Sequence, residues 1–131
     1  MLKSDLVDIG NINPNSRTRV EWEITGDPNH IVHFIPDCGC TANTRIEGNR
    51  IIADFTETDS KNLTEPNRTE WFPSRKMPIT KGIWAYFNDG LDLFLLDDKG
   101  VQIVNPDKEK IKISFIGYVL LDAKRPQLTV E

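Results

Sequence analysis

The stretch Lys110-Ile111-Lys112-Ile113-Ser114-Phe115-Ile116-Gly117-Tyr118-Val119-Leu120-Leu121 puts Ile111, Ile113 and Phe115 at every second position, with Lys110, Lys112 and Ser114 between them. An extended chain sends alternate side chains to opposite faces, so this stretch predicts a long strand with one apolar and one polar face. Gly117 is the expected site of a bulge. Toward the N-terminus the same period of two recurs in short segments bounded by Gly, Pro, Asn and Asp. No long helical period competes with it.

Leu6 to Ile12 predicts a first strand, ended by Asn13-Pro14-Asn15-Ser16. Arg17 to Thr25 predicts a second, with Val20, Trp22 and Ile24 on one face. His30 to Pro36 offers apolar residues to both faces and reads as a central strand. Arg50 to Thr56 follows the Glu47-Gly48-Asn49 turn and aligns Ile51, Ala53 and Phe55; Ile79 to Phe87 aligns Ile83, Ala85 and Phe87. Leu91 to Leu96 and Val101 to Val104 flank Asp97-Asp98-Lys99-Gly100, a four-residue hairpin turn in which glycine supplies the positive φ. These segments predict an all-β chain: an immunoglobulin-like β-sandwich of about seven to nine strands.

Within that plan, residues 1–121 are expected to form one domain, with 91–104 as an inserted hairpin and 122–131 as a tail. Residues 59–78 read as an irregular loop insertion, since Pro66, Pro73 and Pro78 break the pattern and Trp71-Phe72 stands isolated. Trp22 and Trp84, inside patterned strands, are expected in the core.

The 131 residues suit one domain. A charged fraction of 27% against 38% hydrophobic is a globular balance and not the signature of disorder. The net charge of -4, with Lys and Arg scattered, argues against a phosphate-tracking surface and hence against nucleic acid as a partner. No apolar run approaches membrane-spanning length, and the opening Met1-Leu2-Lys3-Ser4-Asp5-Leu6-Val7-Asp8 carries acids where a signal peptide needs an apolar core. The expectation is a chain that no signal peptide exports. Asn62-Leu63-Thr64 and Asn67-Arg68-Thr69 match a glycosylation pattern that is frequent by chance and matters only in a secretory pathway.

Cys38-Gly39-Cys40-Thr41 is the most distinctive local motif. With Ile9-Gly10-Asn11-Ile12, Val20 to Gly26, Ile35 to Thr41, Phe87-Asn88-Asp89 and Ile111 to Val119, it resembles the bacterial Ig-like domain family related to the ASH and major-sperm-protein domains. The resemblance spans residues 6 to 119 and implies a fold without implying a reaction, because that family has no settled activity. The 59–78 loop and the 91–104 hairpin depart from it as insertions into short connections.

Several residues invite a chemical reading. His30, His33, Cys38 and Cys40 form a conceivable zinc set, but in a regular strand His30 and His33 project from opposite faces, whereas a closed site must gather all four ligands. A redox-active disulfide between Cys38 and Cys40 is a second reading. Packed, reduced thiols around a glycine-permitted bend are the favoured one for an unexported chain. Asp97-Asp98, and Asp89 with Asp92, have the residue type of a divalent-cation site, yet turn hydrogen bonding accounts for them without a metal. Neither His30 nor His33 has a nucleophile at a readable spacing, so no enzyme, catalytic residue or cofactor is expected.

What remains is contact. Trp71 and Phe72 on the irregular loop, which either pin that loop to their own domain, the favoured reading, or enter a partner's pocket, and Leu93 and Leu95 on the hairpin are the candidate partner-contact residues. The function expected is a structural, protein-binding module: first a bacteriophage virion component such as a capsid decoration or tail-associated protein, then an intracellular scaffold or adaptor. A zinc- or redox-dependent protein using Cys38 and Cys40 is the alternative from another class. Partners would be proteins of an assembly, with self-association open, and the location the virion or else the cytoplasm.

Overall fold

A computed structural model describes residues 2–64, 67 and 70–121 of the chain. Among these, nine strands alternate with turns: β1 Leu6–Ile12, β2 Arg17–Glu23, β3 Ile31–Pro36, β4 Thr41–Glu47, β5 Arg50–Thr56, β6 Lys76–Phe87, β7 Phe94–Leu96, β8 Gln102–Val104 and β9 Lys110–Leu120. They make two main sheets and a separate hairpin, in the orders β1-β9-β6-β3, β2-β5-β4 and β7-β8. β1 runs parallel to β9, and the other pairings are antiparallel. The expected tail, 122–131, lies outside the described residues, as do Pro66 and the Arg68 and Thr69 of the second acceptor motif.

The two sheets meet through the faces that the period of two selected. Val20 and Trp22 of β2 and Ile51, Ala53 and Phe55 of β5 share one buried cluster with Ile79, Ile83 and Ala85 of β6 and Ile113, Phe115 and Val119 of β9. The Phe115 ring lies 5.0 Å from that of Phe55 and 6.2 Å from that of Trp22, at tilted angles that suit aromatic quadrupoles. The Trp22 indole N–H crosses between the sheets to donate to the Ser114 carbonyl at 3.0 Å. That bond satisfies the polar end of a fully buried ring, and the arrangement is sandwich-like.

Five expectations need correction. β3 is an edge strand, not a central one. A bulge between Ile31 and His33 breaks its register with β6 and leaves Val32 53% exposed. Thr41 to Glu47 forms a strand that the sequence hid, because Ile46 is its only large apolar residue and a register shift near Asn43, at φ 53°, scrambles the period. β6 starts at Lys76, so the last three residues of the expected irregular loop belong to a sheet, with Pro78 paired to Tyr118. Trp84 is half-buried outside the core: it follows Ile83 on a strand and faces away from it, under the Lys110 ammonium at 4.8 Å.

The fifth concerns the glycines. Gly117 carries no bulge toward β6, with which β9 pairs without interruption. The extra residue sits in β1 between Asp8 and Asn11, where Gly10 has φ 73°. Gly117 instead allows close approach: a Cβ there would lie 2.7 Å from the Gly10 carbonyl oxygen.

Candidate functional site

The hairpin between β6 and β9 begins as turn chemistry. The Asp97 carboxylate accepts from the Lys99 and Val101 amides at 2.9 and 2.8 Å, and Gly100 at φ 79° donates back to the Asp97 carbonyl at 3.0 Å. This fixes the register Phe94–Val104, Leu95–Ile103 and Leu96–Gln102. Leu95 and Ile103 therefore lie on one face of the ribbon, and Phe94, Leu96 and Val104 on the other. Both faces keep large apolar side chains exposed. Leu91, Phe94, Leu95, Leu96, Val101 and Ile103 are six of the ten large apolar residues exposed among the described residues, with Leu96 at 71% and Val101 at 57%.

A polar brace anchors this ribbon. Asn105 is buried, its amide N–H donating to the Leu93 carbonyl at 2.7 Å and its Nδ2 to the Asp92 carbonyl at 2.9 Å. Lys108, 5% exposed, donates from Nζ to Asp89 Oδ1 at 2.8 Å and to the Leu91 carbonyl at 2.9 Å. Asp89 Oδ1 also accepts from the Leu91 amide, and Oδ2 from the Glu109 amide at 2.7 Å. The Lys108 hydrogen bond, then the Glu109 amide, hold the Asp89 carboxyl well below the usual carboxylate range, against a smaller opposing effect of burial. A buried ammonium is tolerable only with such partners. At the other side, the Phe94 ring meets His33 of β3 edge-on at 6.4 Å.

The named contact residues fall in two places. Leu93 is half-buried at the foot of the ribbon and Leu95 is exposed on it. The expected irregular loop holds a 3-10 helix, Asp59–Asn62, and helical residues at 70–71; Trp71 there is 58% exposed, whereas Phe72 packs against the core and pins that segment. Sequence reading overlooked Leu91, Phe94, Leu96, Val101 and Ile103, although the run of apolar residues on both faces of a two-stranded hairpin was the available signal. The brace left no such signal, since Asp89 and Lys108 are nineteen residues apart.

The cysteines depart from expectation. Cys38 and Cys40 are joined in a disulfide, not packed as reduced thiols. The turn at Gly39 brings their Cα atoms to 5.2 Å, within bridging range. His33 faces Phe94 and His30 lies in a short 3-10 turn, and among the described residues no group of three or more His, Cys, Asp or Glu is placed to hold a metal. Asp89 and Asp97 serve as hydrogen-bond acceptors within turns. No described helix is long and apolar enough to cross a membrane. Neither a family model, nor a curated protein, nor a solved structure matches the chain.

Proposed function

We propose that this chain is a non-enzymatic, structural protein-binding module with an immunoglobulin-like strand arrangement, and that the β7–β8 hairpin is its docking element. The specific reading is a bacteriophage virion component, a capsid decoration or tail-associated protein. One observation carries the contact assignment: six large apolar side chains stand exposed on the two faces, the turn and the foot of a ribbon whose base is braced by the Asp89–Lys108 pair. An isolated two-stranded hairpin is marginal in water, and a clustered apolar patch rimmed by polar residues marks an interaction surface. The charges of the Asp97-Asp98-Lys99 turn supply part of such a rim.

The strand orders support the architectural part of this reading. The grouping of β2, β5 and β4 in one sheet and of β3, β6 and β9 in the other is compatible with an immunoglobulin-like arrangement, from which β1 departs by pairing with β9 instead of β2. The relationship to the ASH and major-sperm-protein-like domains rests on the Cys-Gly-Cys-Thr step between β3 and β4.

The edge of β3 favours a second reading, an adaptor that recruits an extended segment by strand addition, since Val32 is exposed there. Sedimentation of the native source separates the two. In the virion reading the chain travels with a large particle, and Leu96→Asp releases it while Val32→Lys does not. A chain that stays in the light fractions, or an L96D variant that remains on the particle, overturns the virion assignment or the hairpin assignment respectively.

A further inference from the structure

We propose that Cys38-Gly39-Cys40 is a reversible thiol–disulfide exchange site for an external dithiol, with Cys38 as the sulfur released as thiolate. A disulfide that serves as a staple works mainly by constraining the unfolded chain, and that effect shrinks with the loop it closes. Here the loop holds a single residue between the two half-cystines. Little stability is lost when such a bridge opens.

Backbone hydrogen bonds as well as the bridge hold its surroundings. The Asp37 amide donates to the Gly82 carbonyl at 3.0 Å and so fastens the end of β3, while the Thr56 amide donates to the Cys40 carbonyl at 2.8 Å and fastens the start of β4. Gly39 is exposed, and a Cβ built on it meets no atom within 4 Å. Both cysteines are only partly buried, with Cys40 resting against the core.

The polarity of the bridge comes from its hydrogen bonds. The Cys40 amide donates to Cys38 Sγ at 3.1 Å, a bond that strengthens when that sulfur carries negative charge. Cys40 Sγ has the Thr41 hydroxyl at 3.9 Å. The neighbouring Asp37 carboxylate, which would disfavour a thiolate, is paired with the Lys112 ammonium at 2.9 Å.

An incoming thiolate attacks Cys40 Sγ, forming a mixed disulfide as the Cys38–Cys40 bond breaks and its electron pair leaves on Cys38. The second thiolate of the dithiol then attacks its own sulfur in the mixed disulfide and releases Cys40. The chain gains two electrons and two protons, and the dithiol becomes a cyclic disulfide.

The test uses the oxidised full chain in dithiothreitol without denaturant, with iodoacetamide quenching and intact mass measurement. Two carbamidomethyl groups with an unchanged β circular dichroism spectrum, reversed by oxidised dithiothreitol, are expected. In Cys40→Ser and Cys38→Ser variants, the alkylation rate of Cys38 should rise with pH about one unit below that of Cys40. A bridge that opens only in denaturant, loss of the fold on reduction, or a Cys38 midpoint at or above that of Cys40 overturns the proposal.

Discussion

Lys108 and Asp89 decide how the hairpin is carried. The ammonium is almost fully covered, and it donates to the Asp89 carboxylate and the Leu91 carbonyl. Lys108→Met keeps most of the apolar stem but leaves both acceptors without that donor. The Leu91 and Glu109 amides should then exchange with deuterium about tenfold faster or more, with the two main sheets unchanged. Acid should act at the same place. Because the Asp89 carboxyl is held below its ordinary value, its contribution is present above about pH 3.9 and fades as the pH falls further, as the Lys108 and amide hydrogen bonds lose their charged acceptor. Denaturation midpoints followed from about pH 6 to about pH 2 should fall in the native chain more than in Asp89→Asn, which has no such carboxylate to titrate. Glu57 is another hydrogen-bonded acid, this one fully buried, accepting from the Asn15 amide at 2.9 Å, the Ser60 amide at 2.8 Å and the Ser60 hydroxyl. Glu57→Leu strands those donors and should cost about 3 kcal/mol in urea denaturation, against about 1 kcal/mol for Glu57→Gln.

The hairpin as an element separates stability from contact. Leu95 and Leu96 are exposed on opposite faces of the ribbon, so Leu95→Asp and Leu96→Asp should each change stability by less than about 0.5 kcal/mol in urea denaturation. A larger loss would mean that the ribbon packs on its own chain and is not a free surface. Elements also differ in how plainly the sequence announces them. β9 is readable because it has one covered face and therefore a clean alternation, and β5 keeps Ile51, Ala53 and Phe55 in period although Ile52 on its other face is buried as well. β4 is an edge strand with polar residues and an irregular register, so its pairing comes from β5 and not from its own pattern. β3 looks central because Val32 is apolar, yet the bulge turns that side chain to solvent.

For the chain as a complete body, the seam between the sheets is where single changes matter most. Phe115 is fully buried and touches the rings of Trp22 and Phe55. Phe115→Ala should lower stability by roughly 3–5 kcal/mol in urea denaturation, the ordinary cost of an emptied aromatic site in a closely packed core. The alternating residues of β2, β5, β6 and β9 were sufficient to predict an all-β chain and most of its buried faces, because burial of one face of a strand is written locally at a period of two, and the Asp97-Asp98-Lys99-Gly100 turn announced the hairpin. Which strand lies at an edge, the joining of β1 to β9, the Asp89–Lys108 brace, the bridge between Cys38 and Cys40, and the exposure of both faces of the ribbon became definite only in the folded chain. Each depends on the path of the backbone or on contacts between residues distant in sequence, and neither composition nor spacing encodes where those come to rest.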